Sequence, residues 1–535
     1  MSTRRTGIHV VFALAATIAL VVLGLQHTHA QSLLGLLEWR MTGHDIANTR
    51  SQPLESSVSP RNVDRLSPRW TATTSGDVSA TPAVDFEQYI DWLGVRHRRV
   101  VLYYPDWGGM LWKVDAETGW VIWSRQISEY NGIAQSISRT SPALAAGLVL
   151  VGDLNGNMMG VRAGTGDLEW ITRLDPNPNT IVTTSPIVHG RRLYIATSSS
   201  GGGVARQIFR GSMIALDIRT GEIDWQTFVL PDNGGVPGGF AGGAFVNPPA
   251  IDVEHGLIFA AAGQLYTQPA SVASCLAAAE GGWDESCFPG NAYFNSVIAF
   301  DLRTGEPQWS FRGAGPEARR LGCGDDPPAW CPAWENNFNV WDFAGSGVNV
   351  FRARIGQRSR VVAGIGQKSG VYWAFDARTG RLLWSKLVGH SGDPGGIQWG
   401  SAFDGERIYA AIGHVSNPVP YALPSGEMTT AGSWAALDPS SGDILWQTPD
   451  PQGAPDLGAL TVANGVVYGG SMAHDGDQMY ALDASNGKIL WSFAAGGSVV
   501  AGPAVVDGSV YWGSGYARTG GVGNNKFYAF SIGGR

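Results

Sequence analysis

One motif recurs along the chain: an apolar strand, Asp, two residues, Thr, Ser or Asn followed by Gly, three residues, then Trp. It reads WKVDAETGWVIW ending at Trp123, GVRAGTGDLEW at Trp170, IALDIRTGEIDW at Trp225 and IAFDLRTGEPQW at Trp309. It continues as WAFDARTGRLLW at Trp384, AALDPSSGDILW at Trp446 and YALDASNGKILW at Trp491. Each copy describes a hairpin: the Asp hydrogen-bonds the turn backbone, the Gly takes a left-handed conformation, and the alternating flanks are half-buried strands. The spacing places the Trp where it can pack against a neighbouring unit. A composition of Gly 73 and Trp 21 suits a fold made of tight turns and one large packing residue per repeat.

Between the copies lies a second hairpin, as in TSPALAAGLVLVG (140–152), TSPIVHGRRLYIA (184–196) and AGPAVVDGSVYWG (501–513). Four antiparallel strands per period of roughly 45–60 residues describe a β-propeller blade. An eighth copy is split: FYAFSIGGR ends the chain, and RLSPRW, with Trp70, opens the mature portion. Joining the two predicts an all-β, eight-bladed propeller closed by pairing of the N- and C-terminal strands, which removes free sheet edges. A seven-bladed ring is the alternative, and it leaves Trp70 without a role. The Thr-Gly turns fall on one face of the disc. The long irregular segments 197–211, 228–246, 264–292, 313–345 and 386–397 fall on the other, where function is expected.

Composition narrows the class. Lys+Arg 37 against Asp+Glu 45 gives a net charge of -8, which argues against nucleic acid or an anionic membrane as the main partner. Arg4 and Arg5 precede an apolar run from Ile8 to Leu25 that ends at Thr28-His29-Ala30. This reads as an export signal over residues 1–30, with a single propeller domain over 31–535 and a periplasmic or secreted product. A membrane anchor is the alternative, because the run is nearly long enough to span. In an exported protein the four cysteines read as local disulfides, Cys275–Cys287 and Cys323–Cys331, among three formal connectivities. No Cys-x-x-Cys-His motif occurs, so covalently attached c-type haem is excluded.

Together with the repeats, WRMTGHDIANTRSQPLESSVSPRNVDRLSPRW (39–70), FRGSMIALD (209–217), WDFAGSGVNV (341–350) and GGIQWGS (395–401) resemble the quinoprotein alcohol dehydrogenases, in particular the polyvinyl-alcohol-dehydrogenase-like branch. The resemblance covers essentially the whole mature chain. It implies oxidation of a small or polymeric alcohol by pyrroloquinoline quinone (PQQ), with an external electron acceptor such as a cytochrome c. Asp342 in WDFAG matches the family's catalytic aspartate, a general base for the alcohol proton. Lys368 matches the basic residue at the quinone oxygens, while Arg139 and Thr183 match residues that hold the cofactor's carboxylates. Trp399 enters its blade from the functional face and is a candidate for the pocket wall.

The sequence also departs from the family. Larger relatives hold Ca²⁺ with a Glu, an Asn and the catalytic Asp. Here the Glu position is Arg206 or Gln207 and the Asn position is Gln264. Asp342 with Gln264 makes a poor site for a hard cation. Ala344 stands where lanthanide-using relatives carry a second Asp, and the ring-stacking Trp aligns near Val246, with Phe245 as a substitute. Two expectations follow. Either Arg206 or Lys368 supplies the positive charge a metal normally gives, or the propeller is a non-catalytic scaffold or binding protein.

Overall fold

A computed structural model of the protein describes residues 38–535, apart from 201, 280–283, 314–341, 344, 390–394 and 414–419. The export signal expected over 1–30 and the Cys323–Cys331 pair lie outside these described residues. The repeat produces eight antiparallel sheets, each ordered inner, second, third and outer strand along the chain. We number the blades 1 (83–126), 2 (143–173), 3 (187–228), 4 (250–312), 5 (349–387), 6 (402–449), 7 (461–493) and 8 (504–532 with 66–73). Blade 8 is the split copy. Its outer strand Leu66–Thr73 pairs antiparallel with the C-terminal strand Lys526–Ile532, from Leu66 opposite Ile532 to Thr73 opposite Lys526.

The Trp repeat works between blades. In every sheet the outer strand shifts register immediately before its Trp, a bulge that re-aims the indole. The residue opposite the Trp is Gly160 or an Ala in seven blades, which leaves room for the ring, and Lys113 in blade 1. Seven of the eight indole N–H groups then donate to a backbone carbonyl of the next blade at 2.9–3.1 Å. The last of these, Trp491 to Leu66, closes the ring. Trp225 makes no such bond, and its ring lies against Gly305 instead. The motif's Asp does what the turn chemistry expects: Asp301, for example, accepts from the backbone N–H of Arg303 and Thr304.

The hydrophobic core accordingly sits between neighbouring sheets. One cluster joins blades 1 and 2 through Leu111, Trp123 and Val149, and another joins blades 7 and 8 through Tyr468, Trp491 and Phe530. In the long insertion of blade 4, helix Ala270–Ala278 is bridged to the following turn by the Cys275–Cys287 disulfide. Among the described residues no helix is long and apolar enough to cross a membrane.

The segment before the first blade has no repeat, yet it is the most widely connected part of the molecule. Residues 39–50 run round the axis as a strap. Backbone carbonyls of Trp39, Arg40, Ile46, Ala47, Thr49 and Arg50 accept, in turn, from Val84, Leu144, Ile251, Val350, Phe403 and Val462. These partners lie on the inner strands of blades 1, 2, 4, 5, 6 and 7. The strap therefore ties the inner strands of six blades together around the axis.

Candidate active site

Beside the strap lies a cavity partly open to solvent. Its wall is made by the lead-in segments of the blades, and Thr42 and Arg50 of the strap also line it. The local sequence explains how these segments present their side chains. In Arg139-Thr140-Ser141-Pro142, the Pro restricts the preceding residue to extended backbone. The Thr140 hydroxyl accepts from Gly152 N on the second strand (3.1 Å), and the Ser141 hydroxyl accepts from Thr81 N of the preceding blade (2.9 Å). Thr183-Thr184-Ser185-Pro186 repeats the arrangement: Thr184 latches to Ala196, and Ser185 accepts from Ser141 N. Arg139 and Thr183, which take no part in these latches, line the cavity together with Ser141 and Ser185.

Both carry buried donors that the protein does not satisfy: Arg139 Nε and Thr183 Oγ1 have no hydrogen-bond partner. The Arg139 guanidinium lies 5.0 Å over the Trp107 ring, and burial lowers its pKa. Trp107 and Trp399 both stack edge-on against Tyr516, at 5.3 and 5.1 Å. Trp399 and Tyr516 line the cavity, Trp399 with a left-handed backbone (φ 53°) fixed by its N–H to Gly345 O at 2.7 Å. Arginine, hydroxyls and aromatic faces together suit a flat, carboxylate-rich ring such as PQQ. Val246 lines the wall, whereas Phe245, the proposed substitute for a stacking Trp, is fully buried in the core.

Asp342 and Lys368 form a pair beside this cavity, outside its wall. Lys368 occupies the turn between the second and third strands of blade 5, and its Nζ donates to Asp342 Oδ2 at 2.7 Å. Asp342 is 3% exposed. Gly345 and Gly396 give the lysine its path: a Cβ on Gly345 would meet Lys368 Cε at 2.8 Å, and one on Gly396 would meet its backbone at 2.1 Å. Because Gly345 O also accepts from Trp399, the connector bearing Asp342 is tied directly to the cavity wall.

The other sequence candidates are placed elsewhere. Arg206, in the short helix Gly203–Ile208, lays its guanidinium 3.8 Å over the Tyr266 ring and does not line the cavity. Gln264 is buried after the second strand of blade 4, where its carbonyl accepts from Gly243 N. Among the described residues no group of three His, Cys, Asp or Glu side chains gathers to hold a metal. The described donor set does not fit Ca²⁺, because an ammonium stands 2.7 Å from the Asp342 carboxylate. Sequence reasoning missed Arg50, Thr42, Thr81 and Tyr516. They sit in loops and in the strap, where no periodicity marks a residue as inward-facing.

A family model described as outer membrane protein assembly factor BamB (PQQ_2) matches residues 70–311 and 430–533, more than half of the chain. The chain is 27% identical to a polyvinylalcohol dehydrogenase from Pseudomonas sp, over 93% of this chain and 77% of that protein. It is 25% identical to the polyvinylalcohol dehydrogenase of Sphingopyxis sp. (strain 113P3), over 93% and 81%. Among solved structures, the quinohemoprotein alcohol dehydrogenase from Comamonas testosteroni superposes with a TM-score of 0.67 at 19% identity, covering 93% of this chain and 81% of that one. The match over more than half of the chain places it in the PQQ_2 propeller family, and the proteins it is similar to include polyvinylalcohol dehydrogenases.

Proposed function

We propose that the protein oxidises an alcohol, small or polymeric, with PQQ held in the axial cavity and Asp342 as the general base. The observation that carries this reading is the pair of buried, unpartnered donors, Arg139 Nε and Thr183 Oγ1, facing a cavity beside a carboxylate–ammonium pair. Arg139 would bind a cofactor carboxylate and Thr183 would add a hydrogen bond, with Trp399 forming part of the cavity wall. When bound, PQQ supplies the two-electron acceptor for the hydride leaving the alcohol carbon. Asp342 accepts the hydroxyl proton, and Lys368 keeps Oδ2 oriented while supplying the positive charge for which larger relatives use Ca²⁺. The product is a carbonyl compound, and the electrons pass to an external acceptor such as a cytochrome c. Export after loss of residues 1–30 puts this chemistry in the periplasm. The rival reading is a non-catalytic scaffold, and the assembly-factor description of the matching family model is the observation in its favour.

Reconstitution of the purified protein with PQQ, with and without Ca²⁺, followed by a dye-linked assay on an alcohol panel, separates the two. Turnover without added Ca²⁺ is expected. Asp342→Asn should lower it by roughly 10²–10⁴-fold, the span of a lost general base, while PQQ binding survives. Absence of PQQ binding under every condition would leave the scaffold.

A further inference from the structure

Arg50 is the residue of the cavity that the proposed chemistry does not yet use. It is 2% exposed and lines the cavity from the strap side. Its Nε donates to Leu460 O at 2.7 Å, Nη2 to Thr81 Oγ1 at 2.9 Å and Nη1 to Thr42 Oγ1 at 3.4 Å. All three acceptors are neutral. Burial pulls the guanidinium down to about 10, and among the described residues no charged group offsets it. A buried cation without a counter-ion is costly.

The surroundings are shaped around this side chain. A Cβ on Gly502 would meet Arg50 Nη2 at 2.4 Å, and one on Gly400 would meet its Cδ at 3.0 Å. Arg50 itself holds a left-handed backbone (φ 51°), a conformation that is strained for a residue with a side chain. Strain, burial and an uncompensated charge at one cavity-facing residue mark a position kept for a ligand. None of the groups Arg50 bonds is charged, so none of its hydrogen bonds neutralises the guanidinium.

We propose that Arg50 is a second anion-binding arginine of the axial cavity, contributed by the N-terminal strap, and that it takes a carboxylate of the same polycarboxylate ligand that engages Arg139. This rests on the reading of the cavity as a PQQ site. It also makes the strap part of the binding site: residues 39–50 bond to six blades, and a ligand held by Arg50 tightens those ties.

The test is a titration of the full-length purified apoprotein with PQQ and with its trimethyl ester, which keeps the ring and removes the negative charges. Wild type, Arg50→Gln and Arg50→Lys are compared. Arg50→Gln should weaken PQQ about 10–100-fold, the worth of a charge-assisted hydrogen bond, and leave ester affinity unchanged. Arg50→Lys should fall between. Equal losses for PQQ and ester, or no loss for either, would overturn the proposal in favour of a purely structural arginine. If neither variant folds, hydrogen exchange of residues 38–52 in wild type decides: PQQ must slow it and the ester must not. A wild type that ignores PQQ sinks the quinone reading first. Benzene-1,2,4-tricarboxylate then replaces it as probe, and failure of that anion to raise the melting temperature through Arg50 overturns the anion site as well.

Discussion

The docking of each Trp on the next blade makes a quantitative prediction at Gly380. This glycine ends the turn of blade 5 with φ 71°, and a Cβ placed on it would sit 2.6 Å from Trp309 Cδ2 of blade 4. Gly380→Ala therefore carries two penalties. The left-handed backbone costs roughly 1–2 kcal/mol for any side chain, and overpacking against the indole adds about 1–3 kcal/mol. Gly190, in the first hairpin of blade 3, is the internal control: its φ is 62°, but nothing lies within 4 Å of its Cβ position. Gly190→Ala should lose only the backbone share. Urea unfolding followed by far-ultraviolet circular dichroism reads the two losses, and the difference of about 1–3 kcal/mol is the docking contribution. Combining Gly380→Ala with Trp309→Leu should recover part of it, a coupling that neither substitution shows alone. Equal losses for the two alanines, or strict additivity in the double variant, would refute the view that inter-blade indole packing selects glycine here.

Two further outcomes follow from charged groups. Lys368→Ala removes the ammonium from Asp342 Oδ2, so turnover with PQQ should fall, and added ethylammonium should restore part of it in the dye-linked assay. Asp456 is fully buried between blades 6 and 7, facing Asp450. Burial first, and neighbouring Asp450 second, push its carboxyl pKa well above the ordinary range. An acid with a raised folded-state pKa contributes stability that is present below the unfolded value of about 4 and is lost as pH climbs through the folded value. Asp456→Asn should thus melt higher than wild type at pH 8, and its advantage should shrink toward pH 4.

The fold was legible because its determinants are local and repeated. Asp, Gly and Trp at fixed spacing specify a turn, a left-handed residue and a docking ring, and the split copy at the termini specifies how the ring closes. The three-residue gap between Gly and Trp also encodes the outer-strand bulge, since it puts the indole one position out of register with its partner strand. What the gap does not reveal is that the bulge recurs in all eight sheets to aim the indole at the next blade. The strap was invisible for the opposite reason. Its carbonyls pair with strands up to several hundred residues away, through backbone atoms that every sequence possesses.

The site divides along the same line. Arg139 and Thr183 are singled out by the family resemblance, each just before a Thr-Ser-Pro, and both line the cavity; the hydroxyl latches that position them are visible only in the structure. Arg206 shows the limit of reading by alignment. It occupies the expected stretch of sequence, but a short helix turns it onto Tyr266. Positive charge at the cavity comes instead from Arg139 and from Arg50, a residue in a segment with no strand pattern, and Lys368 adds another beside the wall. A ring of blades can exchange the source of its axial charge without changing its repeat, because each lead-in segment ends near the same axis. The repeat therefore fixes the container, and the chemistry inside depends on which few lead-in residues carry charge.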